Sequence, residues 1–387
     1  FSLVMVLSMV GGTVAFAGSA AATASNINVT SQPGDVEIGQ STVTQTTTVD
    51  VTVDSNGSTA DIEISGDTGT VTDASVSVSG NDVSKSTDAS VSNGVISFAI
   101  SDDGGNNQAD TATVDVTLTH DTSGETSEST GLSYSIDDAG SGATATTNSF
   151  ALVDTTAPSI SNPSPEDGTS VNNASQTYTV DITDSGSGVN ESSIVVTVSD
   201  VDGTPLDGVG TSNSDVSFSS GTLTIDSQNY ADSDVTVTVD AEDNAGNAAD
   251  QFTSTFTVDT NSPSVGIDSP SDGDIVQSQD EISGTASDDN TVASVDLTIT
   301  NSSGDTWDGS AFTSADTTVA ANYGSGTWSY DSSTITTDDS YTVTATATDT
   351  AGNTNTSNEV EYTLDNNSLS VGIDSPSDGD IVQSQDE

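Results

Sequence analysis

The segment SVGIDSPSDGDIVQSQDE at 264–281 recurs unchanged at 370–387, an offset of 106 residues. The repetition extends beyond this identity. DNAGN at 243–247 pairs with DTAGN at 349–353, and VDTTAPSISNPSPEDG at 153–168 pairs with VDTNSPSVGIDSPSDG at 258–273. DDAGS at 137–141 is a weaker third copy of the same turn. A period of about 105 residues is the length of one small domain. It predicts a first, longer domain over 26–154, domains over 155–259 and 260–365, and the start of another over 366–387.

Within each period the pattern is that of β-strands. TYTVDIT (177–183), SIVVTVS (193–199), VSFS (216–219), LTID (223–226), DVTVTVDA (234–241) and FTSTFTV (252–258) alternate apolar with polar or small residues. In the next period VASVDLTIT (292–300), TWSY (327–330), YTVTATAT (341–348) and EVEYTL (359–364) do the same. Gly, Asn, Asp and Pro clusters separate them. No stretch carries helical periodicity with caps. About seven short strands per period predict an all-β chain of tandem immunoglobulin-like sandwiches. The chain has no cysteine, so the disulfide-pinned version is excluded. Trp307 and Trp328 read as core or edge anchors rather than as a ligand platform.

The 60 acidic residues, 49 of them Asp, face one lysine, Lys85, and no arginine, for a net charge of −59. Phosphate and anionic lipid surfaces need Lys and Arg, which excludes nucleic-acid partners and direct binding to acidic membranes. Ser and Thr make up about a third of the chain, and low hydrophobicity with high charge is also the signature of a disordered acidic stalk. The period-2 placement of Val and Ile argues for folding. Near 1 M salt the Debye length is about 3 Å, so surface repulsion largely vanishes. A surface of this kind suits a salt-saturated environment, and the expectation is a halophile, an archaeon.

Residues 1–17, FSLVMVLSMVGGTVAFA, carry no charge, and small residues follow through Ala22. This is the apolar region and A-x-A site of a secretory signal over 1–24, with cleavage after Ala22 or Ala24. A membrane anchor is the alternative, since the run approaches spanning length. The glycines at 11, 12 and 18 favour the signal. MVGGTVAFAGSAAA (9–22) resembles the signal peptides of haloarchaeal cell-surface glycoproteins.

VDTTAP and VDTNSP at the boundaries, ISGTASDD (282–289), TWSY and YTVTATATDTAGN (341–353) resemble the bacterial and archaeal Ig-like repeats of surface proteins and adhesins. The resemblance covers 155–365 and reaches 26–154 only at its end. It implies tandem secreted or cell-surface modules without catalysis, with other surface proteins or glycans as partners. Short Pro-containing linkers would join the modules into a semi-rigid spacer.

Two readings of the Asp-x-Ala-Gly-Asn turn stay open. Asp and Asn cap turns through their own backbone, and Gly supplies positive φ. Alternatively Asp154, Asp243 and Asn247, and one module later Asp259, Asp349 and Asn353, offer oxygens for Ca²⁺, as in related adhesin modules. No EF-hand pattern occurs. N-glycosylation sequons stand at Asn28, Asn56, Asn173, Asn190, Asn301, Asn355 and Asn366, a number chance matches in a chain so rich in Asn, Ser and Thr. The threonine run at 44–48 reads as a strand rather than as a site for O-glycans.

Catalysis has no support. The sole histidine, His120, ends TATVDVTLTH and reads as a surface residue where a strand meets a turn. There is no G-x-S-x-G, H-E-x-x-H or phosphate loop. The expectation is a non-catalytic surface, adhesion or spacer protein. The module region of a large secreted hydrolase and an S-layer lattice protein are the alternatives.

Overall fold

The computed structural model describes residues 24–54, 58–104, 108–199, 201, 206–367 and 379. Residues 1–23, which hold nearly all of the expected export signal, Asn56 and nearly all of the partial repeat beyond 367 lie outside the described residues.

The chain is all-β. Among the described residues the only helical turn is a 3-10 turn at Glu191–Ser193, capped by the Asn190 side chain. The alternation places the strands as read: Val216–Ser219 and Phe252–Val258 have the bounds the sequence predicts. Val195–Val198, Asp339–Asp349 and Val360–Leu364 differ from theirs by one or two residues at an end.

Residues 24–153 form two large sheets around one core. One has the order Ala24–Ser31, Val43–Val53, Asp110–His120, Val71–Gly80. The other has the order Thr144–Thr146, Tyr134–Asp138, Thr59–Gly66, Val95–Asp102, Val83–Ser92. Val49, Val51 and Val53 face Val114 and Ala112 inward, all fully buried. Each such side chain removed from water contributes about 1.5–3 kcal/mol. Their neighbours point outward, where Thr48 donates to Asp115 Oδ1 at 2.7 Å and Thr52 pairs with Thr111 at 2.8 Å.

The middle period has a four-stranded sheet, Ser159–Ser164, Ser175–Thr183, Thr222–Asn229, Val216–Ser219. Its five-stranded sheet runs Ser170–Val171, Phe252–Val258, Asp234–Asp240, Val195–Val198, Leu206–Val209. The third period repeats the plan with Ser264–Ser269, Glu281–Ser287, Thr327–Asp331 and Asn322–Gly324 in one sheet. Asp274–Val276, Val360–Leu364, Asp339–Asp349 and Val292–Asn301 lead the other. Trp307 and Trp328 are core residues there, with the Trp307 indole donating to Tyr330 Oη at 2.9 Å.

One device recurs three times. A strand of two or three residues pairs parallel with the last strand of its own sandwich: Val36–Glu37 with Leu152–Val153, Ser170–Val171 with Thr257–Val258, and Asp274–Val276 with Tyr362–Leu364. The last strand therefore always exits beside the same short segment. Asp259 N–H donates to Val171 O at 3.0 Å and Asp365 N–H to Val276 O at 2.9 Å. This fixes the first residue of these two linkers; Asp154 N–H donates instead to Glu128 Oε1 at 3.2 Å.

By Cα proximity the chain divides into two compact units. One runs to Ile160 and takes in Asp181–Ile194 and Asp240–Gln251; the other holds Ser161–Val180, Val195–Val239 and Phe252 onward.

One expectation is overturned. His120 is fully buried, with Thr70 Oγ1 at 2.8 Å from Nδ1 and Tyr134 Oη at 3.5 Å from Nε2. It shares the inward parity of Ala112, Val114, Val116 and Leu118 on its strand. Tyr134 in turn donates to Gln45 Oε1 at 2.6 Å, so the imidazole belongs to a buried polar network. Burial without a charged partner pushes its pKa below the ordinary histidine value.

Candidate metal centres at the module linkers

Each linker begins with an Asp whose carboxylate folds back on its own backbone. Asp154 Oδ1 accepts from Thr156 N–H, Asp259 Oδ1 from Asn261 N–H and Asp365 Oδ1 from Asn367 N–H, at 3.0–3.1 Å. The following residue is held by an acid of the preceding sandwich. Thr155 donates its N–H and hydroxyl to Glu37 at 2.8 Å each. Thr260 does the same to Asp232, and Asn366 N–H donates to Asp338.

The Asp-x-Ala-Gly-Asn turn closes on the linker. Asp243 Oδ1 accepts from Gly246 N–H at 2.6 Å and Asn247 N–H at 2.8 Å. Gly246 sits at φ 96°, a conformation only glycine adopts freely. The Asn247 amide donates twice, to Asp243 Oδ2 at 2.7 Å and to the Asp154 carbonyl at 2.9 Å. Asn353 repeats this one module later, at 2.8 Å to Asp349 Oδ2 and 2.8 Å to the Asp259 carbonyl. The structure thus brings Asp154, Asp243 and Asn247 together, and likewise Asp259, Asp349 and Asn353. In both copies the asparagine clamps the linker through its amide N–H groups.

Among the described residues, the clusters of acids near enough to share one cation are Asp154, Asp184, Asp243 and Asp259, Asp288, Asp289, each with ligand atoms within 4.8 Å of one another. Asp184, Asp288 and Asp289 escape a motif search. The signal was present, because Asp184 and Asp289 stand 105 residues apart, in register with the linker acids Asp154 and Asp259.

The two clusters differ electrostatically. Burial opposes ionisation of Asp154, yet the Ser187 N–H and hydroxyl, the Thr156 N–H and the Asp243 carboxyl outweigh it and hold the Asp154 pKa below the ordinary value. The Ser187 N–H lies 2.5 Å from Asp154 Oδ2. At Asp259, burial prevails over the single N–H from Asn261, and the neighbouring Asp288, Asp349 and Asp289 push its pKa up further. Asp259 is 3% exposed, and its Oδ2 has no hydrogen-bond partner. Asp184 Oδ1 is likewise buried and unpartnered. A buried anionic oxygen without a donor is costly unless a cation or proton meets it. Clustered carboxylate oxygens are the donor set of Ca²⁺, which takes six to eight hard oxygens. The residues present fit that ion.

Asn28, Asn173, Asn355 and Asn366 are exposed, while Asn190 and Asn301 are half-buried. A shallow groove on the third period, about 470 Å³, is lined by Asp268, Glu281, Asn322, Thr327 and Ser329 among others; no His, Cys or Lys lines it. Among the described residues no helix is long and apolar enough to cross a membrane.

No curated protein matches the chain. Among solved structures, it is similar to the fibronectin(III)-like modules of Clostridium thermocellum CbhA, at 15% identity over 54% of this chain and 92% of that one, TM-score 0.30. It is also similar to the FN1–FN3 domains of chicken CNTN1, at 12% identity over 89% of this chain and 98% of that one, TM-score 0.31. The fold is a tandem of immunoglobulin-like β-sandwiches, and residues 269–366 match the model of the bacterial Ig-like domain family.

Proposed function

We propose that this chain is a non-catalytic spacer or adhesive protein, exported to the surface of a halophilic archaeon, whose Ig-like modules are fixed to one another by clamped linkers and bound calcium. The observation that carries the reading is the recurrence of one linker geometry. The Asn247 and Asn353 amides each bridge a turn carboxylate and a linker carbonyl, with three acids gathered beside each linker. Catalytic function would not require linkers to be copied; a structural role of the linkers themselves would. Asp154, Asp184 and Asp243 would hold one ion, and Asp259, Asp288 and Asp289 another. The ion would neutralise a cluster that the protein itself leaves anionic. Bacterial Ig-like domains are typical of extracellular or surface proteins, which agrees with the apolar, uncharged segment at 1–17.

Calorimetric titration of the chain in about 3 M KCl, with magnesium as control, tests the metal. Calcium-specific heat is expected, lost in part in Asp184→Asn and in part in Asp289→Asn, and lost wholly in the double variant. No calcium-specific heat would leave these residues as turn and linker formers alone.

A further inference from the structure

The turn at 137–143 is the first sandwich's version of the Asp-x-Ala-Gly-Asn turn, but its linker partner is the start of the chain's first strand. Asp138 N–H donates to Ala143 O at 2.9 Å, as Asp243 N–H does to Asn247 O at 3.0 Å. No asparagine follows Asp138 in the turn. The two bonds that Asn247 makes are instead divided. Ala24 N–H donates to Asp138 Oδ2 at 2.7 Å, and Ser141 Oγ donates to the Ala24 carbonyl at 2.7 Å. Gly140 N–H supplies Asp138 Oδ1 at 3.1 Å. Both partners are sealed in: Ala24 is 1% exposed and Asp138 2%. Ala24 also pairs with Val53 and belongs to the hydrophobic core of this sandwich.

Ala24 is therefore a structural residue in the place a linker residue occupies in the later modules. Two A-x-A sites stand next to it, ending at Ala22 and at Ala24. Cleavage at the second would remove the residue that satisfies Asp138 Oδ2 and the Ser141 hydroxyl. A buried carboxylate stripped of one of its donors loses far more than an exposed one.

We propose that proteolytic maturation breaks the Ala22–Thr23 bond and leaves Ala24 in the mature protein as the anchor of its first strand. The proposal rests on the export reading above. The step is a hydrolysis by an endopeptidase that selects small side chains at the first and third positions before the cut. Water's hydroxyl goes to the Ala22 carbonyl carbon and its remaining proton to the Thr23 nitrogen as the C–N bond breaks; the new Ala22 carboxyl then loses its proton and the Thr23 amine takes one up, leaving a carboxylate and an α-ammonium.

Two measurements test it. The full-length gene is expressed in a haloarchaeal host, and the N-terminus of the protein recovered from the medium or cell surface is read by mass spectrometry. A start at Thr23 is expected, and a start at Ser25 or beyond overturns the proposal. Recovery only inside the cell with residues 1–22 attached would instead overturn the export reading and the proposal with it. Independently of export, forms beginning at Thr23 and at Ser25 are compared in thermal unfolding at about 3 M KCl. The shorter form is expected to melt about 4 °C or more below the longer one, or not to fold; equal melting overturns the anchoring role of Ala24.

Discussion

Changing Asn247 to Ala removes one amide and orphans two acceptors. The Asp154 carbonyl loses its bond at 2.9 Å and Asp243 Oδ2 its bond at 2.7 Å. Both belong to residues out of reach of bulk water, at 4% and 1% exposed. An acceptor left buried and unpaired costs about 1–3 kcal/mol, and more when charged. The linker gives water partial access once the side chain is gone, so the expected loss is about 2–4 kcal/mol. For a sandwich of this size that lowers the melting temperature by about 10 °C or more. Asn247→Asp keeps the shape but sets a further carboxylate against Asp243, and is expected to cost more than Ala. The control is Asn173→Ala, an exposed turn residue bonded only to Ser175; changes of that kind stay within about 0.5 kcal/mol. Scanning calorimetry at about 3 M KCl reads all three. Equal melting of the Asn247→Ala and Asn173→Ala variants would refute the claim that the clamp holds the linker.

Three further outcomes are expected. His120 is held neutral by burial, with its folded pKa depressed below the unfolded value near 6.5. The unfolded chain then takes up a proton the folded one refuses. Stability is full above about pH 6.5 and falls as the pH drops below it; denaturation between pH 5 and 7 in high salt should show this slope in the wild type and not in His120→Gln. Gly39, at φ 73°, faces the Ser185 carbonyl so closely that an added Cβ would lie 2.0 Å from its oxygen. Gly39→Ala should cost about 1–2 kcal/mol in backbone strain alone, and an unchanged melting temperature would contradict it. Finally, far-UV circular dichroism from about 0.1 to 3 M KCl should show β content and melting temperature rising with salt, because Lys85 with Asp88 is the only ion pair among the described residues. Equal values throughout would show that repulsion is not limiting.

The strands were legible because Val and Thr alternate strictly along them. Phe252–Val258 reads in, out, in from its own letters, and so does Asp339–Asp349. Strands such as Ser159–Ser164 and Ser170–Val171 were not, since they are short, polar and half-exposed, and long-range pairing alone makes them strands. His120 shows the cost of weighing residue type over parity. Counting from Ala112 by twos reaches it, and the count was right where polarity misled. Of the candidate site, the clamp residues carried their own motif. Asp184 and Asp289 carried only a shared offset, and Glu37, which binds Thr155 and Thr156, lies in a part of the chain with no repeat to compare.

The preference for Asp over Glu, 49 to 11, follows from how this chain stabilises its acids. With one lysine, ion pairs cannot do so. Backbone N–H groups can, and the short Asp side chain reaches those two to four residues ahead, where the longer Glu side chain overshoots. Asp243 and Asp349 are each held this way in burial. Exposed turns use the same bonds. Asp308 is held below its ordinary pKa by the Ala311 N–H and by the Ser310 hydroxyl and N–H, and Asp331 by the Ser333 hydroxyl and N–H. A surface built on ion pairs would lose them where the Debye length is about 3 Å, because salt screens separated charges. Fixed N–H donors in contact with a carboxylate are screened far less. The same salt that relieves repulsion among the exposed acids therefore leaves intact the bonds that shape the turns. The cluster at Asp259 is the exception. Among the described residues, the six carboxylate oxygens of Asp259, Asp288 and Asp289 receive three donors, the Asn261 N–H and amide and the Asn290 N–H, so local hydrogen bonding there leaves part of the charge unmet.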